Sequence, residues 1–353
     1  MNRQKTDPFP GASEMGVRMR AYDWEQTSIG SVETWSQSLK STVRILLGSR
    51  YPMILLWGQE LAQIYNDAYT SLIGDKHPGA LGRSIRETQS ESWDTIGPMI
   101  AEVMTTGVPN WVEDQMMVVN RAGYNEEAHF SLSYSAVEDD EGVIRGMLCV
   151  CSEVTQQVLG ERRLRLQRDL AARTGEMRSV NTTCQDIVAA ITEYPFDVPF
   201  ALIYLQEAEG KTLRLYGSVG MGGNDSIAPK TALYNESTDL WSLTTVMAGH
   251  TVLVEGVDRY IALVGGPWGE IVREALALPI PSSNVTAPLG VLIVGISPSR
   301  ALDESYQSFY ALLAGQVSVS IRNAQAYEEE RRRAEMLAEI DRASWMNKLP
   351  LAP

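Results

Sequence analysis

Between residues 152 and 180, stepping alternately by four and three places, the chain carries Leu159, Arg163, Leu166, Leu170, Arg173, Met177 and Val180. The intervening positions include Glu161, Arg162, Arg165, Gln167, Arg168 and Asp169. This pattern predicts a helix with one narrow apolar stripe on an otherwise polar surface. A stripe so narrow calls for a partner helix, most simply its own copy in a second chain. Leu159, Leu166, Leu170 and Met177 are then the expected dimer contacts, with Arg163 and Arg173 loosening the seam. The alternative is an ordinary amphipathic helix lying on one neighbouring domain.

Upstream, residues 1–13 are polar, with Pro8, Pro10 and Gly11. Two helical patterns follow between 15 and 47, split by Ser28-Ile29-Gly30-Ser31; the second sets Trp35, Leu39, Val43, Leu46 and Leu47 on one side. Short apolar runs at 52–57 and 61–65 flank Gly58-Gln59-Glu60 as a hairpin would. Helical pieces start at Asn66 and Asp67 and stop at Gly74, a longer helix spans about 95–106, and strands at 111–120, 128–137 and 143–154 close the unit. Two strands, helices, then three strands predict a mixed sheet with helices on one face. Downstream come a helix at 183–191, strands at 199–205 and 212–218, a glycine-rich loop, a helix at 239–248, and strands at 251–255, 275–281 and 288–295. The last strand is almost wholly apolar and is expected to be central. A closing helix from 303 to about 342 is expected to add dimer contacts near Leu313, Val317, Ala324 and Tyr327. The fold class is α+β: two domains, each a mixed or antiparallel sheet flanked by helices, joined by a long coiled-coil-like helix.

The 353 residues, 44% of them hydrophobic, suffice for about two cores of ~150 residues each. A net charge of −14 repels phosphates, so no nucleic-acid partner is expected. Three cysteines in this length suit a reducing cytosol, and no apolar run approaches the ~20 residues of a membrane span, so a cytoplasmic location is expected. Gly210-Lys211-Thr212 mimics the end of a phosphate loop, but Leu205 stands where its first glycine is needed. Cys149 and Cys151, two apart on a strand, share a face and read as small core residues. His77, His129 and His250 form no catalytic or metal-binding spacing, so neither catalytic residues nor a metal site are expected.

Tyr65-Asn66-Asp67-Ala68-Tyr69, then Leu72-Ile73-Gly74, His77-Pro78 and Leu81-Gly82, resemble the core signature of a PAS sensory domain over 41–155. Glu153-Val154-Thr155 looks like the last PAS strand entering its exit helix, and the stretch around Asp23-Trp24 and Trp35 is similar to the lead-in of such domains in bacterial sensor histidine kinases. Residues 181–326 resemble a GAF domain in the order of their elements. The implied division is 1–40 lead-in helices, 41–155 PAS-like domain, 156–180 connector helix, 181–326 GAF-like domain and 327–353 output helix and tail. Residues 337–343 resemble the helix leading to a kinase phosphoacceptor hairpin, but Ser344-Trp345-Met346-Asn347 follows in place of a His-Glu-Phe-Arg-Thr-Pro-type motif, so no phosphotransfer activity is expected in this polypeptide.

The resemblance implies a signal-sensing regulatory module of a two-component phosphorelay. It would form a homodimer and pass a change induced by a small molecule or partner through its helices toward a downstream kinase or response regulator. The cofactor is unknown: Lys76-His77-Pro78-Gly79 is not a flavin-attachment run, and bilin and cyclic-nucleotide signatures are absent. Trp57, Tyr65, Asn66, Tyr69 and Trp93 lie on or beside the elements that line the cavity in the family, which makes them ligand candidates; aromatic core packing is their other reading. A ligand-free interaction scaffold and a GAF-type small-molecule reductase are the rival functions. The reductase would need paired reactive cysteines where Cys184 stands alone.

Overall fold

The computed structural model describes residues 7–175, 178–207, 212–221, 227–234, 240–282 and 287–346. The chain divides into two compact units, Met1–Leu159 and Gly160–Pro353.

The first unit opens with α1 (Glu14–Ala21) and α2 (Gln37–Gly48), each started by a serine whose hydroxyl accepts an amide N–H of the first turn: Ser13 from Gly16 and Ser36 from Leu39, both at 3.2 Å. β1 (Met53–Trp57) and β2 (Ala62–Tyr65) form the expected hairpin. Then come α3 (Asp67–Ile73), α4 (Ile85–Thr88) and α5 (Trp93–Thr106), followed by β3 (Asn110–Val119), β4 (Glu126–Glu138) and β5 (Ile144–Glu153). The strands lie in the order β2-β1-β5-β4-β3, and every neighbouring pair is antiparallel. The expected mixed sheet is therefore corrected to an antiparallel one. The helical segment joins β2 to β3 at opposite edges of the sheet, so it creates no adjacent parallel pair of the kind a crossover helix would. α3 stops at Gly74, where φ is +48° and an added Cβ would lie 2.6 Å from the Arg121 carbonyl oxygen. The lead-in packs on the sheet: Phe9, Met15, Met19, Trp24 and Trp35 are buried in the same core.

α6 (Thr155–Thr174) contains the division between the units. The second unit continues with α7 (Val180–Thr192), β6 (Ala201–Gln206), β7 (Thr212–Val219), β8 (Thr231–Leu233), α8 (Leu243–Met247) and β9 (Val252–Glu255). A two-residue pair, β10 (Val264–Gly265) and β11 (Glu270–Ile271), precedes β12 (Glu274–Ile280), β13 (Gly290–Gly295) and the long α9 (Glu304–Met346). The main sheet runs β8-β7-β6-β13-β12-β9, again antiparallel, with the wholly buried β13 inside it as its apolar run requires. Side chains of β6 alternate between two cores: Ala201, Ile203 and Leu205 join the core that holds α7 and α9 residues, while Leu202 and Tyr204 join one with Trp241 and Val246.

The stripe of α6 is buried within the single chain. Leu166 and Leu170 are fully buried in the core that also contains Leu313, Val317, Ile321 and Ala324, and Leu159 is fully buried as well. The expectation that these leucines lie exposed in a monomer and pair with a second copy is thus corrected, as is the dimer contact assigned to Leu313, Val317 and Ala324. Met177 lies outside the described residues. The amphipathic-helix reading is the one observed, because α9 supplies an apolar face that a local reading of 152–180 does not contain. Arg163 fits this packing: its Nε donates to Asp197 Oδ1 at 3.3 Å and its guanidinium lies 4.5 Å from the Tyr306 ring centroid and 5.1 Å from that of Phe309. Arg162 also pairs with Asp197, and the Tyr310 hydroxyl donates to the Asp197 carbonyl at 2.8 Å. Beyond Ala324, α9 leaves Met336, Leu337 and Ile340 exposed. Among the described residues no helix is long and apolar enough to cross a membrane.

Asp197 is 1% exposed at its side chain, and removing it strands the buried Arg163 guanidinium. Asp197→Ala is expected to lower the unfolding free energy of the second unit by about 3–5 kcal/mol in urea titrations, with Asp197→Asn costing less.

Candidate functional site

The inner face of the first sheet and the helices α3 to α5 enclose a cavity of about 50 Å³. Its walls are mainly apolar, with Leu56, Ile96, Ile100, Phe130, Leu132 and Met147 among them, and its polar lining includes Tyr69, Gln89, Tyr134, Cys149 and Cys151. A single water needs about 10–15 Å³ on this measure, and drug-sized ligands occupy about 300–1,000 Å³. The space as it stands holds a few waters or a ligand of a few atoms. Lys76 and Glu91, which are ion-paired, belong to the same lining, and Glu91 Oε1 also accepts the Asn120 N–H at 3.2 Å. The Tyr69 hydroxyl accepts from Gln89 Nε2 at 3.1 Å. The Tyr134 hydroxyl has no hydrogen-bond partner among the described residues, and burial pushes its pKa well up. Burial likewise holds the Cys149 thiol far above its ordinary range; it lies within hydrogen-bonding reach of Cys151. Neutral, enclosed thiols pack as small apolar groups.

Of the five ligand candidates only Tyr69 lines this cavity. Asn66 is a structural staple. Its Oδ1 caps α3 by accepting from Tyr69 N at 3.1 Å and also accepts from Met53 N at 3.0 Å, while Nδ2 donates to the carbonyls of Leu46, Ser49 and Tyr51 at 3.2, 3.2 and 2.8 Å. No hydrogen-bonding capacity remains for a ligand. The Tyr65 hydroxyl meets His77 Nδ1 at 3.1 Å, and His77 Nε2 meets Glu14 Oε1 at 3.1 Å, so Tyr65 helps to secure α1. Burial raises the Tyr65 pKa to about 12, and hydrogen bonds from His77 and Arg18 hold the Glu14 carboxyl below its ordinary value. Trp57 packs over Gly146, where an added Cβ would lie 2.5 Å from the indole. Trp93 lines a different concavity on the outside of α5.

A second cluster stands where β5 enters α6. Thr155 Oγ1 accepts the His129 N–H at 2.9 Å and donates to Glu153 Oε1 at 2.8 Å, while Val154 N–H donates to the His129 carbonyl at 2.8 Å. Arg121 bridges Glu153 and Glu126 with a pair of bonds to each, 2.7–2.9 Å long. His129 is 6% exposed and has carboxylates on both ring nitrogens: Asp114 Oδ1 at 2.6 Å from Nδ1, and the fully buried Glu127 Oε1 at 3.1 Å from Nε2. Both nitrogens donate only in the imidazolium. Burial opposes that cation, but the hydrogen bonds and charges of Glu127 and Asp114 outweigh it, and the pKa is raised from 6.5. Sequence spacing could have flagged Glu127 and His129, two apart on one strand face. Asp114 reaches the ring from a stretch of β3 where a bulge interrupts the register between Val112 and Gln115, and nothing local announces that.

No family model matches the chain, and no curated protein matches it. Among solved structures, the chain is similar to the GAF domain of an Acinetobacter phosphoenolpyruvate-protein phosphotransferase at 21% identity, covering 46% of this chain and 94% of that one, with a TM-score of 0.35. The corresponding GAF domain from Coxiella burnetii is 14% identical, with coverages of 48% and 98% and a TM-score of 0.37. The photosensory core module of a Stigmatella aurantiaca phytochrome is 11% identical over 83% of this chain and 62% of that one, with a TM-score of 0.37. At these values the likeness assigns neither a family nor an activity.

Two outcomes are expected. Asn66→Ala leaves several buried backbone groups unpaired, at about 1–3 kcal/mol each, so chemical denaturation should show a loss of about 3 kcal/mol or more; an unchanged midpoint would contradict the staple role. His129 has a folded pKa above its unfolded one, so its stabilisation is complete below the unfolded value and fades as pH rises through the folded value. Urea midpoints of the wild type between pH 6 and pH 9 should therefore fall with pH more steeply than those of His129→Gln.

Proposed function

We propose that this chain is a signal-sensing regulatory module, a PAS-like unit followed by a GAF-like unit, in which a change in the first unit is passed into α6. The observation that carries this reading is the continuity of β5 with α6 through the clamp of Thr155, His129, Glu153 and Arg121. The same two strands that form the clamp wall the cavity, β4 through Phe130, Leu132 and Tyr134 and β5 through Met147, Cys149 and Cys151. A small ligand that offers an acceptor to the unpartnered Tyr134 hydroxyl would separate or draw in these strands and bias how α6 leaves the sheet. To change the output tenfold it need distinguish two packings by only about 1.4 kcal/mol.

The remaining parts of the reading are a cytoplasmic homodimer and control of a histidine kinase or response-regulator pathway. They rest on the PAS-like motifs and on the kinase-like run at 337–343. The dimer contact moves to the distal part of α9, where Met336, Leu337 and Ile340 project from one side and stand 63%, 65% and 59% exposed. The reductase alternative is disfavoured by Cys184, a buried thiol whose pKa burial pushes up to about 12, whereas redox nucleophiles act as thiolates.

Thermal denaturation of the full chain against libraries of small metabolites, haem, flavins and nucleotides tests the sensory role. A true ligand should add about 2.7 kcal/mol at one hundred times its Kd, lose that effect in Tyr134→Phe, and alter hydrogen exchange over 155–174. If no compound does so, the module is a scaffold. In parallel, light scattering should find a dimer that Leu337→Glu with Ile340→Glu converts to monomer.

A further inference from the structure

The groove on the outside of α5 is separate from the cavity and does not depend on the sensory reading. It measures about 220 Å³, with Leu61, Gly97, Ile100, Ala101 and Met104 in its apolar walls, together with the half-buried Trp93. Gly97 is required there: a Cβ at this position would lie 2.9–3.2 Å from the Trp93 indole, so only glycine lets the ring lie flat along the next turn of α5. The Arg86 guanidinium carbon stands 5.3 Å from the Trp93 ring centroid. Arg86 is the one charged side chain among the described lining residues, and its N–H donors have no hydrogen-bond or ion-pair partner among the described residues. In a chain of net charge −14, a cation held against an indole at the edge of an apolar groove, with no acid paired to it, is chemically conspicuous.

We infer that this groove binds a small aromatic carboxylate. The guanidinium fork suits a carboxylate, which it can hold through two parallel hydrogen bonds, and stacking on Trp93 pre-orients that fork. The apolar walls and the thioether of Met104 suit a flat hydrocarbon body. The volume lies below the ~300–1,000 Å³ of drug-sized sites and so favours a single ring. Arg86 is the single cation of the described lining, and the Gln59 amide and Trp93 indole N–H add only neutral donors, which gives a phosphate or a polyanion too few charged partners. Peptide acids and free metabolites carry the same carboxylate, but the size of the groove commits the proposal to the free small molecule.

Methyl NMR of the full chain with labelled methionines separates this groove from the cavity, because Met104 lines the groove alone while Met117 and Met147 line the cavity alone. Phenylacetate is the probe and 2-phenylethanol its neutral counterpart. Titration to about 20 mM, well above a Kd of ~1 mM, should move the Met104 methyl to saturation and leave Met117 and Met147 in place. Arg86→Gln, an exposed change, should weaken phenylacetate about tenfold or more and leave the weaker 2-phenylethanol binding unaltered. Ala101→Phe, which fills the groove from an exposed position, should abolish both. A Met104 methyl that does not respond, a response confined to Met117 and Met147, or equal phenylacetate affinity in wild type and Arg86→Gln overturns the proposal. The methyl spectrum of each variant reports whether it is folded.

Discussion

The first unit depends on β5 being paired on both edges. It lies between β1 and β4, with Leu56 opposite Met147 on one side and Tyr134 opposite Cys149 on the other. A central strand can shift only if both ladders shift with it, and a slip by one residue would turn every side chain to the wrong face. The next residues after this constrained strand are Val154 and Thr155, where α6 begins. The helix therefore leaves from the best-determined line in the sheet, and its first turn inherits the position of β4 through the bonds between His129 and Thr155. Cavity, clamp and helix are consecutive parts of one hydrogen-bonded strand pair.

Buried polar groups do the positioning in both units. Asn66 ties the end of β2 to the segment after α2, and its five hydrogen bonds replace backbone pairing that the turn at 49–51 cannot supply. Asp197 does the same work in the second unit with charge, collecting Arg162 and Arg163 on its carboxylate and Tyr310 on its carbonyl. Such sites contribute little net stability against a well-packed apolar alternative, but breaking one partner is expensive, so they fix one arrangement among many of similar hydrophobic content.

Local periodicity made the elements legible, and long-range pairing decided the rest. The hairpin around Gly58, the stop at Gly74, the apolar β13 and the long α9 each carry their own signal in composition and spacing. Which surface covers a stripe does not: Leu166 and Leu170 look alike whether a second chain or α9 buries them, and α9 is more than a hundred residues away in sequence. Aromatic residues misled for a related reason. Trp57, Tyr65 and Trp93 occur near the cavity in sequence, but the alternation of β1 and β2 and the handedness of α5 turn them to other faces. The place of Asn66 before Asp67-Ala68-Tyr69 is that of an N-cap, and a ligand role follows only from the resemblance of this run to a PAS signature. His129 gained its meaning only when the bulge in β3 brought Asp114 to it.

The burial of α6 constrains how the helix can move. A helix pair that exposes its seam to a second copy can change register at small cost, because each step exchanges similar apolar contacts. Leu166 and Leu170 instead sit in a close-packed core with Leu313, Val317 and Ile321, and such cores move between discrete packings and resist continuous sliding. Arg163 adds directionality, since its guanidinium is held between the Asp197 carboxylate and the Tyr306 and Phe309 rings, and a turn of α6 would separate this charge from its partners. A turn of α6 within the second unit would therefore require rearrangement at Asp197 and at the first turns of α9, where Tyr306, Phe309 and Tyr310 hold the same cluster.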